Sequence, residues 1–244
     1  MDAQRPDGYT GRRRHQNKTM ADTIILHQWE ASPFCNKVRK MLAHKGLSYE
    51  VKNYHGLLSL KAAGVGIGGF LPVLEVGGEK ISDSTEIAHY LDRTYPIAPL
   101  YPADARLRVS AELWEDWADE AFHWFEVYLR MEYPEVVPKV GELLSAGRPR
   151  WEQALLQRVV PRMYRKRMKG QGIGRLPREE VRTRFFRHMD MLETTLAIQR
   201  WLVGDGRTIA DIAVAGQLDE IVRTTNESKV HEYRATLDWL KRVG

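Results

Sequence analysis

The sequence predicts a small α/β domain followed by an all-helical domain. The first observation is a strand, helix and strand pattern over residues 23–53, and the second is a pair of short strands joined by Gly77-Gly78. Glycine pairs suit the tight turn of a two-stranded hairpin. The third observation is the segment 95–102, which holds three prolines in eight residues and after which the strand pattern disappears. We place the domain boundary in this linker.

Hydrophobic periodicity and turn residues set the order of the elements. Gly46 ends the first helix, because glycine readily takes the left-handed conformation that follows a helix C-terminus. Thr208 and Asp211, just ahead of an apolar run, have the form of a capping box that opens a helix. The predicted strands cover residues 23–28, 49–53, 73–76 and 80–82, and the predicted helices cover 34–45, 84–93, 104–133, 150–168, 177–200, 208–224 and 230–242.

Composition limits the class of protein. The chain has 244 residues, 43% of them hydrophobic, which is enough for a packed core. The net charge is +5, but residues 1–19 hold five basic and two acidic side chains, so the rest of the chain carries only +2. Because the charge outside residues 1–19 is nearly balanced, we expect no nucleic-acid partner. No run approaches the ~18 consecutive apolar residues of a membrane-spanning helix, so we also expect no membrane partner.

The single cysteine, Cys35, excludes an internal disulfide and fits a reducing compartment, which predicts a cytoplasmic protein. Residues 1–21 contain almost no aliphatic side chains and are expected to form a disordered tail. Three origins stay open for this tail: an organelle-targeting arm, an added or regulatory extension, or a start assigned too early. We favour the last, because Met20 stands just before the first strand.

The most informative segment joins the first strand to the first helix. It runs from Trp29 to Arg39 and reads Trp-Glu-Ala-Ser-Pro-Phe-Cys-Asn-Lys-Val-Arg. Pro33 suits the first turn of a helix, and Ser32 lies where unpaired N–H groups and the positive end of the helix dipole converge. An anionic sulfur or oxygen is therefore favoured beside Ser32.

Two further segments complete a pattern. Leu71-Pro72 precedes a strand, and Asp83-Ser84 lies between a strand and a helix. The three pieces in this order resemble the glutathione transferase family, most closely the classes with a Ser-Pro-Phe motif, such as the plant tau class. The resemblance implies a thioredoxin-like domain at residues 22–95, a linker at 96–102 and an all-helical domain at 103–244.

The resemblance also implies roles in a glutathione site. Ser32 would donate a hydrogen bond to the glutathione thiolate. A cis Leu71-Pro72 bond would let Leu71 pair with the cysteinyl residue of glutathione like an added strand. Asp83 and Ser84 would hold the γ-glutamyl end. The other expected glutathione contacts are Phe34, from the motif, and Lys61, for the glycyl carboxylate.

The implied activity is conjugation of glutathione to a small hydrophobic electrophile, a detoxification reaction, by a homodimer. The electrophile pocket is expected between the domains, along the helix at 104–133, with Trp114 and Trp117 as candidate lining residues. The histidines show no metal-ligand spacing, so no metal is expected. The sequence does not identify the electrophile.

Other interpretations stay open. Ser32 and Asp83 could be simple helix caps, and Cys35 is expected to be a buried helix residue rather than a site of S-glutathionylation. The glycine-rich patch 169–175 is similar to a loop of the metaxin-like branch, so a non-catalytic binding or scaffolding protein is the main alternative. A glutathione-dependent peroxidase or lyase is a further one. A Ser-His-Asp triad is not expected, because no Gly-x-Ser-x-Gly elbow surrounds Ser32.

Overall fold

The first domain is built on a four-stranded sheet. The computed structural model describes residues 23–66, 69–225 and 227–244. The predicted tail at 1–21, with Met20, lies outside these residues. The strands are β1 (Ile24–Gln28), β2 (Glu50–Asn53), β3 (Val73–Val76) and β4 (Glu79–Ser82). Their order is β2-β1-β3-β4, with β1 parallel to β2 and antiparallel to β3, and β3 antiparallel to β4.

Two helices complete this domain, α1 (Pro33–His44) and α2 (Ser84–Thr94). The predicted stop of α1 is confirmed, because Gly46 has a positive φ of 64° directly after the helix cap. Gly77 and Gly78 have φ values of 58° and 88°, and two positive φ values are what the tightest hairpin turn requires. The local turn chemistry thus produces both the strand-helix-strand unit and the hairpin.

The second domain consists of helices. They are α3 (Ala105–Asp116), α4 (His123–Met131), α5 (Val137–Leu144), α6 (Arg150–Gln171), α7 (Arg178–Ile198), α8 (Ile209–Thr224) and α9 (Arg234–Val243). A π-helical turn at Trp117–Phe122 joins α3 to α4, so the predicted long helix is confirmed as one continuous rod. The thioredoxin-like sheet and the helical domain together confirm the predicted fold class.

Helix α8 is the centre of this domain and packs against α1, α3, α4 and α9. Nearly all of its residues are buried, including the polar side chains of Asp211, Gln217 and Glu220. The predicted capping box is present, with Asp211 accepting from the backbone N–H of Thr208 at 3.0 Å. Asp211 also accepts from Leu202 N–H and from Trp239 Nε1, which ties the start of α8 to α9.

Some short elements were not predicted from the sequence. Residues Gly56–Gly64 form a 3-10 helix where a loop was expected, and α5 is a short helix that no pattern indicated. Both are short and lie against α6, so tertiary contacts rather than periodicity stabilise them. Helix α6 also runs three residues beyond its predicted end and stops at Gly172, whose φ is 120°.

Candidate active site

Three of the predicted site segments meet at one edge of the sheet. Across this edge His27 of β1 pairs with Val73 of β3, and Val73 pairs with Ser82 of β4. The loop to Ser32 leaves β1 here, Pro72 lies directly before β3, and Asp83-Ser84 lies directly after β4. The register therefore gathers residues that are as much as 52 positions apart in the chain.

Ser32 is the N-cap of α1. Its backbone is extended (φ −90°, ψ 126°), and its Oγ accepts a hydrogen bond from the Cys35 N–H at 3.3 Å. Pro33 occupies the first turn, as predicted. Because Oγ accepts from the helix, its own proton remains available to a ligand at the positive end of the α1 dipole.

Cys35 is fully buried directly behind Ser32. Burial raises the pKa of the Cys35 thiol to about 11, against the smaller opposing effect of the Ser32 hydroxyl. The thiol therefore stays protonated at neutral pH, and a neutral thiol is only a weak acceptor for the Ser32 proton. The expected role of Cys35 as a buried helix residue is confirmed.

The Leu71-Pro72 peptide bond is cis, as predicted. Leu71 is half-buried, and neither its N–H nor its C=O has a hydrogen-bond partner within the described part of the chain. A backbone edge of this kind can pair with an extended peptide as an added strand would.

Asp83 and Ser84 begin α2. Asp83 has a positive φ of 76°, and its carboxylate accepts from the N–H groups of Thr85 at 2.8 Å and Glu86 at 3.2 Å. It is a helix N-cap, exposed to solvent, while Ser84 is 4% exposed at the first helical position. The pair thus places a carboxylate and a hydroxyl at a helix N-terminus, where the positive end of the helix dipole favours a bound carboxylate.

The helical domain fixes the loop ahead of Ser32 through two arginines that the sequence analysis did not name. Arg130 of α4 donates to the backbone oxygen of Ala31 at 3.0 Å, and Arg223 of α8 pairs with the carboxylate of Glu30. Both arginines lie in helices far along the chain, and no local motif marks them. Their contacts with the loop before Ser32 become apparent only when the helical domain packs against the first domain.

Phe34 also reaches the helical domain. Its ring centroid lies 4.7 Å from that of His123 at the start of α4, and His123 Nδ1 lies 3.2 Å from Gln217 Oε1 on α8. Phe34 therefore belongs to the domain interface beside the Ser32 loop.

Trp114 and Trp117, the two candidate pocket residues, lie on the α3–α4 rod. Trp117 stacks on Phe122 and contacts His188 of α7, with centroid distances of 4.9 and 5.3 Å, and Trp114 lies edge-on to Trp117. On the α3–α4 rod, Glu115 faces α1, and Trp117 lies about 200° around the helix from it. Both tryptophan side chains are half-buried and contact residues of the helical domain, and their place in a pocket between the domains stays a prediction.

Lys61 lies on the 3-10 helix and is exposed. This helix is held to the second domain by Glu152 of α6, whose carboxylate accepts from the Leu57 N–H at 3.0 Å and pairs with Arg148 at 2.6 Å. Gly56 permits this approach, because a Cβ there would lie 2.1 Å from Glu152 Oε2. The hydrogen bond from Leu57 to Glu152 fixes the segment that follows β2. It does not place a second cation beside Lys61 for the glycyl carboxylate.

Residues 23–66, 69–225 and 227–244 contain no group of three or more His, Cys, Asp or Glu side chains that could hold a metal ion. Within the same ranges, none of the helices combines the length and apolar content needed to cross a bilayer.

The fold and the site define a two-domain, thioredoxin-like protein whose polar site residues gather at the cis-proline edge of the sheet. The family description "Glutathione S-transferase, N-terminal domain" matches residues 26–99, and "Glutathione S-transferase, C-terminal domain" matches residues 177–242. The chain belongs to the glutathione S-transferase family.

Individual relatives agree with this assignment. Glutathione S-transferase U7 of Arabidopsis thaliana is 33% identical over 104 residues, which are 41% of this chain and 44% of that protein. The chain thus matches about half the length of its curated relatives. A glutathione S-transferase structure from Rhodospirillum rubrum F11 is 25% identical, with a TM-score of 0.61 over 91% of this chain and 87% of the other. A Methylobacterium radiotolerans transferase, solved with glutathione sulfonate, is 20% identical, with a TM-score of 0.59 over 91% and 90% of the two chains.

Proposed function

We propose that this protein is a glutathione transferase in which Ser32 stabilises the glutathione thiolate for attack on a small hydrophobic electrophile. The observation that carries the proposal is the position of the Ser32 hydroxyl. It caps α1 at the same sheet edge as the cis Pro72 and the Asp83-Ser84 pair. The relative solved with glutathione sulfonate supports a glutathione-type ligand.

The energetics are sufficient for this role. A thiol of pKa about 8.5 needs roughly 3 kcal/mol of preferential stabilisation of its anion to lower that pKa by ~2 units. A charge-assisted hydrogen bond contributes about 1.5 to 3 kcal/mol, and a helix N-terminus about 0.3 to 1 kcal/mol. Ser32 supplies both contributions, because its hydroxyl proton is free to donate and its backbone opens α1.

In the reaction, Ser32 is a donor and not a nucleophile. The glutathione sulfur forms a bond to an electrophilic carbon, and either a leaving group departs with its electron pair or a double bond accepts the sulfur and then a proton. Ser32 keeps its proton throughout, and its hydrogen bond weakens as the sulfur loses its charge.

The rest of the site would hold glutathione in place. The free backbone edge of Leu71 would pair with the cysteinyl residue, and Asp83 would accept from the γ-glutamyl ammonium while Ser84 binds its carboxylate. Phe34 and Lys61 complete the proposed contacts with glutathione. The ammonium group of Lys61 would attract the glycyl carboxylate. The electrophile would enter between the domains, beside Phe34 and the start of α4. We extend the proposal to a cytoplasmic homodimer, as the family resemblance implies.

The test is calorimetric titration of the full chain with glutathione, followed by ultraviolet detection of the thiolate. Ser32→Ala should remove the thiolate signal at neutral pH and cut conjugation of a nitro-activated aryl chloride about 100-fold, with affinity for glutathione nearly unchanged. Ser32→Thr keeps the hydroxyl and serves as the control. Equal conjugation rates for Ser32→Ala and the parent chain would remove Ser32 from the mechanism.

The alternative is a non-catalytic, metaxin-like binding or scaffolding protein. It is favoured by the 3-10 helix that replaces an open loop after β2 and is anchored to α6 through Glu152. This alternative predicts no heat of binding at millimolar glutathione. A peroxidase or lyase would instead bind glutathione with a thiolate signal, yet would not act on the aryl chloride.

A further inference from the structure

Helix α6 presents an apolar row to solvent. It packs against α4, α5 and the 3-10 helix. Pro161 and Met168 share one buried side, and Glu152 is buried at the helix start by its contacts with Leu57 and Arg148. Four apolar side chains spaced four residues apart lie on the outer side and are 59, 41, 48 and 39% exposed: Trp151, Leu155, Val159 and Met163. Residues four apart neighbour one another on a helix surface, so these side chains form one stripe.

The same helix is strongly basic. Its 22 residues include seven Lys or Arg and a single acidic residue, Glu152, which is turned inward to Leu57 and Arg148. Among the described residues, Arg165 is the only one of these seven with a carboxylate within 4 Å, namely Glu132. The expectation of no membrane partner rested on the absence of a membrane-spanning run. Neither that absence nor the net charge of +2 outside residues 1–19 shows that basic residues are concentrated on one helix.

The basic and apolar residues run side by side. Arg158, Arg162 and Lys166 are exposed, also repeat every four residues, and lie about 60° around the helix from the apolar stripe. We call the two rows together the α6 face. Over about 23 Å, from Trp151 to Lys166, it offers apolar side chains beside unneutralised cations.

We propose that the α6 face is a docking surface for an anionic membrane surface, on which α6 lies parallel to the bilayer plane. An interfacial helix of this kind places Trp, Leu and other apolar side chains among the upper acyl chains and directs Lys and Arg to acidic headgroups. Both rows are then used at once, and the helix lies on the bilayer without spanning it.

Charge complementarity disfavours the other occupants. The N-terminal segment 1–19 is itself basic, and a second copy of α6 would bring like charges together. A nucleic acid would engage the cations and leave the apolar stripe unused. A protein partner would have to present carboxylates to all three cations beside the apolar stripe, an outcome that polyglutamate tests.

The test is flotation of the full chain with vesicles of phosphatidylcholine alone and of phosphatidylcholine mixed with phosphatidylserine. We expect binding to the mixed vesicles only, weakened by added salt. Replacing Arg158, Arg162 and Lys166 by Gln should lower vesicle affinity about 100-fold. The matched control replaces Arg93, Arg106 and Arg234 by Gln. These are exposed cations on other helices, and the control should bind as the parent chain does.

Tryptophan fluorescence measures separately whether the apolar side chains of the α6 face insert into the bilayer. Vesicle binding should shift tryptophan emission to the blue in the parent chain, and Trp151→Phe should remove most of this shift while flotation persists. The proposal is overturned by equal binding to neutral vesicles, by no binding, or by an equal loss in the control triple variant. Tighter binding of RNA or polyglutamate than of the mixed vesicles would also overturn it.

Discussion

Lys37 of α1 and Glu115 of α3 form an ion pair with an N–O distance of 2.6 Å, and the two side chains are only 1% and 2% exposed. Glu115 also accepts hydrogen bonds from Thr85 of α2 and from Tyr101 in the linker. Burial opposes the charge on Lys37, but Asp119 and Glu115 outweigh it and raise the pKa of Lys37. One carboxylate thus joins both domains and the segment between them.

Removing one partner of this pair should be costly. Lys37→Ala leaves Glu115 and Asp119 buried without their cation, and we expect a loss of about 3 to 5 kcal/mol in the free energy of unfolding. Urea denaturation measures this. The control is Arg108→Ala, which breaks the exposed pair with Glu112 and should cost at most about 1 kcal/mol. Similar losses in the two variants would contradict a special role for the buried pair.

Asp83 can be tested against a cap with the same pattern of hydrogen bonds. Asp104 begins α3 and accepts from two backbone N–H groups at 3.0 Å, as Asp83 does at the start of α2. Changing either to Ala should cost about 1 kcal/mol of stability. Only Asp83→Ala should also weaken glutathione binding, by about 10- to 100-fold, and Ser84→Ala should weaken it with little effect on stability. If calorimetry finds unchanged affinity for both Asp83→Ala and Ser84→Ala, the proposed γ-glutamyl site is wrong.

Cys35 should be unreactive in the folded protein. It is the only cysteine, it is fully buried, and its pKa is raised to about 11, so almost no thiolate is present at neutral pH. Iodoacetamide should therefore leave the native chain unmodified, as judged by intact mass, and should label it once in urea. Rapid labelling without denaturant would show that the helix N-terminus opens readily.

Glu193 of α7 should make stability depend on pH. Burial favours its neutral form, but hydrogen bonds from Thr236 and Ala235 of α9 outweigh burial and hold the pKa of Glu193 below its usual 4.5. A lowered folded pKa means that the stabilisation is complete above about pH 5 and is lost as the pH falls through the folded value. Thermal unfolding between pH 6 and about pH 3 should show a smaller decline for Glu193→Gln than for the parent chain. An equal decline would assign the pH dependence to other groups.

Local sequence chemistry predicted much of the first domain. Ser32, Pro33 and Gly46 bound α1, and the glycine pair at 77 and 78 closes the hairpin, because each of these residues has a backbone preference that acts within a few positions. The cis Leu71-Pro72 bond, by contrast, was implied by the family resemblance, and a cap at Asp83 was the alternative to its role in glutathione binding. The residues of the candidate site that were predicted are those placed at element ends.

Contacts between distant helices could not be predicted in this way. Arg130 and Arg223 hold the loop before Ser32, yet each lies in an ordinary helical pattern with no motif around it. Trp114 and Trp117 are candidate pocket residues in the sequence, but no local pattern shows that Trp117 contacts both Trp114 and His188 of α7.

The sequence by itself determined the order of the main elements and the ends of α1 and of the hairpin strands, and through the family resemblance it identified the three segments of the candidate site. These depend on caps, turns and periodicity, which act over a few residues. The tertiary structure alone decided which side chains of the long helices face the first domain, that the segment after β2 is anchored to α6, and that the basic face of α6 remains exposed. Those features depend on the rotation and packing of helices over long chain separations, which local propensity does not encode.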